Sequence, residues 1–218
     1  MSFTYAAIVC ALKNQRRIKE GVIILMTPGT GSGMQSLHQI INHSFGKRAI
    51  FRISIEERGD VFMCTEGVSN HDTSVVEVDA EKFLSLWQKE PNSHTPELLH
   101  GNPEKWKQDY KFHHAEAGFS GGIDDPVPLA EIGCNTHKKL TAVYRRKFLL
   151  FKRLIGYRKE QFNYVSFSNG ITRTIWLLAY GAHHFPVECS TSEAPLLQQC
   201  AGLPGGEVKT IAQLLSPH

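Results

Sequence analysis

Residues 169–174 form a short polar segment whose residue types and spacing suit the binding of a phosphate group. Asn169-Gly170 is a dipeptide that readily takes a positive φ angle, so it predicts a tight turn. The residues that follow would begin a helix, whose first turn has free backbone N–H groups and the positive end of the helix dipole. Thr172, Arg173 and Thr174 would lie there, and a guanidinium can bind a phosphate through two hydrogen bonds. The segment therefore predicts an anion site, with a nucleotide as the candidate cofactor.

A second group of residues is defined by its charge. Residues 136–160 contain nine basic side chains and one acid, Glu160, whereas the rest of the chain is net acidic. The spacing predicts an amphipathic helix, because apolar residues recur at helical intervals on one side and basic pairs recur every seven residues on the other. The pairs are Lys138/Lys139, Arg145/Arg146 and Lys152/Arg153. Such a basic face would contact nucleic-acid phosphates, nucleotide phosphates or an acidic protein surface, and a solvated helix exterior is the alternative.

A glycine-rich stretch at residues 27–34 also deserves comparison with known phosphate-binding loops. It lies between a predicted strand at 21–26 and a predicted helix at 35–41, which is the context of a phosphate-binding P-loop. The Lys-Ser/Thr ending of that loop is missing, because Gly33-Met34 stands in its place. A flexible connection is therefore favoured over nucleotide binding.

The sequence predicts no metal centre. His183 and His184 are adjacent, and neighbouring residues of a strand point to opposite faces, so the two cannot easily chelate one ion. The acids nearest in sequence to the polar segment are Asp124, Asp125 and Glu131. A solvated loop accounts for these acids better than a Mg²⁺ site does.

Strands and helices must position these residues, and the pattern predicts an α+β protein with a mixed sheet and a β-rich N-terminal half. Strands are predicted at 21–26, 49–55, 61–65, 74–78, 162–168 and 185–189. Helices are predicted at 80–88, with Asp79 as N-cap, and at 171–180, with Gly181 as the stop. Residues 91–122 carry prolines and histidines and predict a long excursion, so we expect two regions, 1–122 and 123–218.

Composition excludes several classes of protein. The chain has 218 residues, a net charge of +3 and 41% hydrophobic residues, which is too apolar and too balanced in charge for a disordered protein. No stretch approaches the roughly 18 consecutive apolar residues of a membrane-spanning helix. The N-terminus lacks the basic start of a secretory signal, and five scattered cysteines without a CxxC pair indicate neither a disulfide framework nor a zinc site. The expected location is the cytoplasm, with reduced thiols.

The polar segment and its surroundings resemble the phosphate-binding box of the ParB/sulfiredoxin fold. That box has a Gly-x-x-Arg turn, a helix and a short strand, whose places are filled here by residues 170–173, 179–181 and 185–187. Residues 127–132 are similar to the strand and turn that open the same domain, so the resemblance covers roughly residues 125–190. Ile171 and Thr172 stand where ParB proteins have basic residues and sulfiredoxins have a reactive cysteine. Peroxiredoxin repair is therefore not expected.

Within that fold, residues 168–176 and 183–189 most resemble the plasmid fertility inhibition factors, by which one conjugative plasmid blocks transfer of another. The resemblance implies a protein that binds the coupling ATPase or the relaxase–DNA complex of another plasmid, without membrane insertion. The basic pairs and the polar segment are the candidate contacts. The ParB/sulfiredoxin likeness implies a weak nuclease or nucleotide hydrolase as an alternative, and the basic segment alone implies a plain DNA-binding module.

Overall fold

The computed structural model describes residues 33–43, 46–66, 72–146 and 152–216 of the chain. In these ranges it contains nine strands and seven helices, arranged as two mixed sheets with helices packed against them. The predicted α+β class is confirmed. The predicted strand at 21–26 and all but the last two residues of the glycine-rich stretch lie outside the described residues.

The smaller sheet has four strands in the order β1-β2-β3-β5. Their bounds are β1 Leu37–His43, β2 Gly46–Ile55, β3 Gly59–Cys64 and β5 Val127–Pro128. The first three strands pair antiparallel, and β5 runs parallel to β3. In β2, Ile53 and Ile55 are buried while Arg52 and Ser54 are exposed, which confirms the predicted strand with one wet face.

The larger sheet has five strands in the order β7-β6-β8-β4-β9. Their bounds are β4 Thr73–Asp79, β6 Ala130–Arg146, β7 Lys152–Asn169, β8 His184–Ser190 and β9 Lys209–Thr210. β4 pairs antiparallel with β8 and β9, while β6 runs parallel to β8 and antiparallel to β7. Residues on both sides of the predicted boundary at 122 therefore contribute to one sheet, and its central strands β4 and β8 are almost entirely buried.

Seven helices cover the sheets. They are α1 Ala80–Trp87, α2 Pro96–Leu99, α3 Pro103–Trp106, α4 Phe112–Phe119, α5 Ile171–Ala179, α6 Ala194–Ala201 and α7 Ile211–Leu215. The predicted start of α1 is confirmed, because the Asp79 carboxylate accepts a hydrogen bond of 2.9 Å from the backbone N–H of Lys82. α5 begins and stops where the sequence predicts, with Gly181 at φ +77° beyond its end. None of the described helices is long and apolar enough to cross a membrane.

Two predicted helices are wrong. Residues 35–41 do not form a helix, because β1 occupies most of that range and pairs with β2. The amphipathic helix predicted at 136–160 is instead an antiparallel hairpin of β6 and β7, paired from Glu131↔Asn169 to Arg146↔Lys152. Residues 147–151, which join the two strands, lie outside the described residues.

The second error has a physical cause. Leu140, Ala142 and Tyr144 occupy every second position, and apart from Val143 the residues between and beside them are polar. The sequence therefore also carries a strand period of two, which the helical spacing obscured. β6 enters this stretch already extended, because its first residues pair with β8. Strand formation depends on such neighbours more than on intrinsic preference, so tertiary pairing decides the outcome here.

Glu77 on β4 ties the smaller sheet to the larger one. Its side chain is 2% exposed, and its carboxylate accepts hydrogen bonds from the backbone N–H groups of Gln35 and Ser36 at 2.7 and 2.5 Å, and from the Ser36 hydroxyl. The Ser36 carbonyl in turn accepts from the backbone N–H of Arg52 in β2. A buried carboxylate with three hydrogen-bond donors therefore holds the residues directly before β1 against β4.

Replacing Glu77 with glutamine should lower the free energy of unfolding by about 2 kcal/mol, because charge-assisted hydrogen bonds are lost and an amide NH₂ meets backbone donors. Urea unfolding monitored by tryptophan fluorescence measures the change. Glu57→Gln, at an exposed residue of the β2–β3 turn, is the matched control and should alter stability by less than about 0.5 kcal/mol. Equal effects of the two changes would contradict the anchoring role.

Candidate functional site

The turn between β7 and α5 is built around a glycine. Gly170 takes φ +91°, as the predicted turn requires, and serves as the N-cap residue of α5. A Cβ at this position would lie 2.8 Å from the Cα of Ala130, the first residue of β6. No real Cβ tolerates such a contact with a backbone atom, so only glycine lets the turn pass this close to β6.

Arg173 lies on the first turn of α5 and is half-buried. One guanidinium nitrogen, Nη2, donates a hydrogen bond of 3.2 Å to the carbonyl oxygen of Leu129, while Nε is buried without a hydrogen-bond partner in the part of the chain that the structure describes. Burial lowers the pKa of this guanidinium, and the negative charges of Glu66 and Glu131 oppose that effect. The side chain thus has one donor committed to the backbone and another unsatisfied.

The other residues of the predicted anion site lie beside Arg173. Asn169 is exposed at the end of β7, and Thr172 is half-buried on the first turn of α5. Thr174 is buried, and its hydroxyl donates to the carbonyl oxygen of Gly170 at 3.2 Å. The turn and the helix start are as expected, and the binding of a phosphate there stays a prediction.

Beside this turn lies a cleft of about 490 Å³. Four carboxylates line it: Glu66 after β3, Asp72 before β4, Glu131 on β6 and Glu188 on β8. Arg173 is not among the lining residues, and none of the described residues that line the cleft is cationic. The interior of the cleft is therefore electronegative.

Glu188 is enclosed in the cleft wall, with 6% of its surface exposed. The parallel register of β6 and β8 places it directly opposite Glu131, and like charges so placed repel each other. Burial raises the pKa of Glu188 to about 7, and the carboxylates of Glu131 and Glu66 add to this effect. A backbone hydrogen bond from Glu66 and the charge of Arg173 act in the opposite direction. Near neutral pH this carboxyl group can gain or lose a proton, as a general acid or base must.

Sequence reasoning did not find this cleft. The expectation that Glu131 lies in a solvated loop is wrong, because it is a half-buried residue of β6. Glu188 carried a usable signal, since it is a carboxylate within the otherwise buried run of β8, and such residues are almost never fully buried unless they have a role or a partner. Glu66 carried no such signal, because it simply follows the end of a strand.

The cysteines and histidines form no reactive centre in the part of the chain that the structure describes. Burial raises the pKa values of Cys134 and Cys189 to about 12, so both thiols stay protonated at neutral pH and are poor nucleophiles. His183 is exposed, with its Nε2 3.9 Å from a carboxylate oxygen of Glu56. Within the described ranges, no three His, Cys, Asp or Glu side chains are placed to hold a metal ion.

The basic residues lie on a projecting β-hairpin. Beyond Ile132, β6 no longer pairs with β8, and the hairpin continues as a two-stranded ribbon. We call residues 138–145 and 153–161 the ribbon arm, and at about 3.3 Å per residue it is about 25 Å long. Four predicted contact residues, Lys138, Lys139, Arg145 and Arg153, are exposed on this arm. The other two, Arg146 and Lys152, form the last described backbone pair of the hairpin.

The two faces of the ribbon arm differ in character. On one face, cross-strand pairing joins Ala142 to Tyr157 and Tyr144 to Leu154, with Leu140 beside them. Leu140, Tyr144 and Tyr157 are 69%, 57% and 66% exposed, although large apolar side chains are usually buried. The other face carries Lys139, Thr141, Arg145, Arg153 and Arg158, together with the acid Glu160 opposite Lys139. Lys159 lies opposite Leu140 and brings one positive charge to the apolar face.

Exposed apolar surface and positive charge thus coincide on the arm. Five of the six exposed large apolar side chains in the described residues lie there, the sixth being Tyr110. None of the arm's lysines and arginines takes part in the ion pairs of the described ranges. A contiguous apolar patch bordered by charge is typical of an interaction site.

Three comparisons with known proteins bear on this geometry. The family model for plasmid fertility inhibition factors matches residues 75–202, a range that contains the ribbon arm, the turn at Gly170 and both Glu131 and Glu188. The protein osa of Shigella flexneri is 26% identical over 153 residues, which is 69% of this chain and 66% of that protein. The chain thus spans slightly less than two thirds of the length of this curated relative.

A solved structure agrees with the family match. The crystal structure of Oncogenic Suppression Activity Protein, a plasmid fertility inhibition factor studied as a gold(I) cyanide derivative, has a TM-score of 0.58 to this chain. The match covers 96% of this chain and 89% of that one at 19% identity, which shows a shared fold. Since the family model covers more than half of the sequence, the chain belongs to the plasmid fertility inhibition factor family.

Proposed function

We propose that this protein blocks conjugative transfer by binding a component of another plasmid's transfer machinery through its ribbon arm. The observation that supports the proposal is the coincidence of exposed apolar side chains and exposed positive charge on one projecting element. The partner is the coupling ATPase or the relaxase–DNA complex, through an acidic surface or through DNA phosphates. The inhibition takes place in the cytoplasm.

The chemistry of the arm suits tight and selective binding. Tyrosine and arginine are enriched among the residues that dominate interface energies, and Tyr144, Tyr157 and Arg158 are of these types. Positive charge speeds association with an anionic partner, whereas buried apolar contacts slow dissociation. The basic face of the arm can therefore speed association, and the apolar face can slow dissociation.

A mating assay tests the proposal. Donor cells that carry a panel of conjugative plasmids express the wild-type protein or a variant with Lys139, Arg145, Arg153 and Arg158 changed to glutamate. The matched control carries the same charge reversal on exposed lysines outside the arm, Lys82, Lys89, Lys105 and Lys111. We expect the wild type and the control to suppress transfer of a susceptible plasmid, and the arm variant to lose at least tenfold in suppression, about 1.4 kcal/mol of binding. Retained suppression by the arm variant, or equal loss in the control, contradicts the proposal.

A second candidate function is a hydrolase of nucleotides or DNA that uses the acidic cleft. It is favoured by one observation, the pKa of about 7 of Glu188 in a cleft next to the half-buried Arg173. It ranks second because a phosphate in the cleft would meet four carboxylates and no lining cation among the described residues. Turnover of ATP or DNA that is lost in Glu188→Gln and kept in the arm variant would establish it.

A further inference from the structure

The acidic cleft has a charge imbalance that the described residues lining it do not neutralise. The side chains of Glu66, Asp72, Glu131 and Glu188 line it. Among the groups that shift the pKa of Glu188, the cation is Arg173, which lies outside the lining and donates to the backbone carbonyl of Leu129. Placing several carboxylates together in a half-enclosed space is costly, and a bound cation would relieve that cost.

A buried acceptor in the cleft wall lacks a donor. The Oε1 atom of Glu188 is buried and has no hydrogen-bond partner among the described residues, although the residue is 94% buried and lines the cleft. Unpaired buried carboxylate oxygens are rare, because each forfeits a charge-assisted hydrogen bond. The Glu188 carboxylate is therefore the group in the cleft wall that a ligand donor would stabilise most, once rotation of the side chain turns Oε1 towards the cleft.

The rest of the lining is also rich in acceptors. Thr73, Ser168 and Ser190 also line the cleft, and a hydroxyl oxygen can accept two hydrogen bonds while donating one. The Ser190 hydroxyl already shares a hydrogen bond of 2.9 Å with the Ser192 hydroxyl. A ligand that matches this lining should carry positive charge and several N–H donors. Guanidinium and ammonium groups have this character, since they carry donors and no acceptors.

The geometry favours an organic cation over a metal ion. In the described residues no three carboxylate, histidine or cysteine side chains are placed to coordinate a metal, so the acids are spread around the space. A volume of about 490 Å³ exceeds what one ion needs and is within the range of small-ligand sites. We propose that the acidic cleft binds a guanidinium or alkylammonium group, presented by an arginine or lysine of a partner protein or by a free polyamine.

This inference is independent of the ribbon arm and goes beyond the proposed function. It also implies pH-dependent binding, because the cation pairs with ionised Glu188. The groups around Glu188 are Glu131 on β6, Glu66 and Cys64 at the end of β3, Arg173 on α5 and the adjacent Cys189, and Asp72 before β4 lines the same cleft. As the pH rises through about 7, Glu188 loses its proton and the cation should bind more tightly.

Titration calorimetry of the full chain tests the inference with four probes: N-acetyl-arginine amide, spermidine, Mg²⁺ and inorganic phosphate. We expect the arginine derivative or spermidine to bind about tenfold more tightly at pH 8 than at pH 6, as the ionised fraction of a group with pKa of about 7 changes. Tighter binding of the arginine derivative would indicate a side chain of a partner protein, and tighter binding of spermidine would indicate a free polyamine. Glu188→Gln should reduce the affinity at pH 8 at least tenfold, while Glu57→Gln on the distant β2–β3 turn should not change it.

Several outcomes would overturn the inference. Binding of neither organic cation would do so, as would binding of Mg²⁺ or phosphate in their place. Equal affinity for wild type and Glu188→Gln would place the cation elsewhere on the surface. Because glutamine mimics the protonated acid, this variant should stay folded, and its circular dichroism spectrum checks this before each titration.

Discussion

Glu188→Gln should make the protein more stable at pH 8 by about 3 kcal/mol, since the pKa of this buried carboxyl is about 7 against an ordinary value of 4.5. The folded state binds the proton more tightly than the unfolded state does. The protonated Glu188 therefore contributes fully to the free energy of unfolding of the wild type below pH 4.5, and this contribution is lost as the pH rises through about 7. Glutamine resembles the neutral acid at every pH. The difference in free energy of unfolding between Glu188→Gln and the wild type should therefore fall to about 1 kcal/mol at pH 5.

Urea unfolding at a series of pH values measures this difference. Glu131→Gln is an informative companion, because it removes the like charge opposite Glu188. It should lower the pKa of Glu188 and so weaken the pH dependence of stability that Glu188 causes. A stability difference that stays constant between pH 5 and pH 8 would show that the effect of Glu188→Gln does not arise from ionisation.

Gly170→Ala should destabilise the protein by about 4 kcal/mol, which is large for a single methyl group. Part of the cost is conformational, because φ +91° is unfavourable for a residue with a Cβ. The larger part is steric, since the new Cβ would lie 2.8 Å from the backbone of Ala130 and would push β6 away from the turn.

A second glycine provides the control for this prediction. Gly181 has φ +77°, and a Cβ built there would meet no atom within 4 Å. Gly181→Ala should therefore cost only the conformational part, about 1 kcal/mol. Chemical denaturation of the two variants separates the two contributions, and similar losses at both sites would refute the steric argument.

The elements that the sequence predicted correctly are those with local signals. Asp79 caps α1 through its own side chain, and Gly170 and Gly181 mark the start and the end of α5 by their backbone freedom. Caps and turns involve residues within a few positions of each other, so one stretch of sequence contains the whole interaction. For the same reason the predicted turn of the anion site has the expected local geometry.

The elements that were missed depend on distant partners. Residues of β1 and of the ribbon arm fit a helical spacing, and only pairing with β2 or across the hairpin shows them to be strands. The acidic cleft is formed in the same way, since Glu66 and Glu188 are more than a hundred positions apart and meet only through the sheets. The register of β6 and β8, which opposes Glu131 to Glu188, leaves no trace in either strand alone.

The open edges of the ribbon arm bear on whether copies of this protein could pair with one another. Beyond Ile132, both edges of the arm present backbone N–H and C=O groups that no other described strand covers. Open edges with apolar side chains favour edge-to-edge aggregation, and lysines and arginines along such an edge are a common protection against it. The positive charge of the arm should therefore oppose edge-to-edge pairing between copies. A partner that neutralises this charge removes the protection, unless it covers the open edges at the same time.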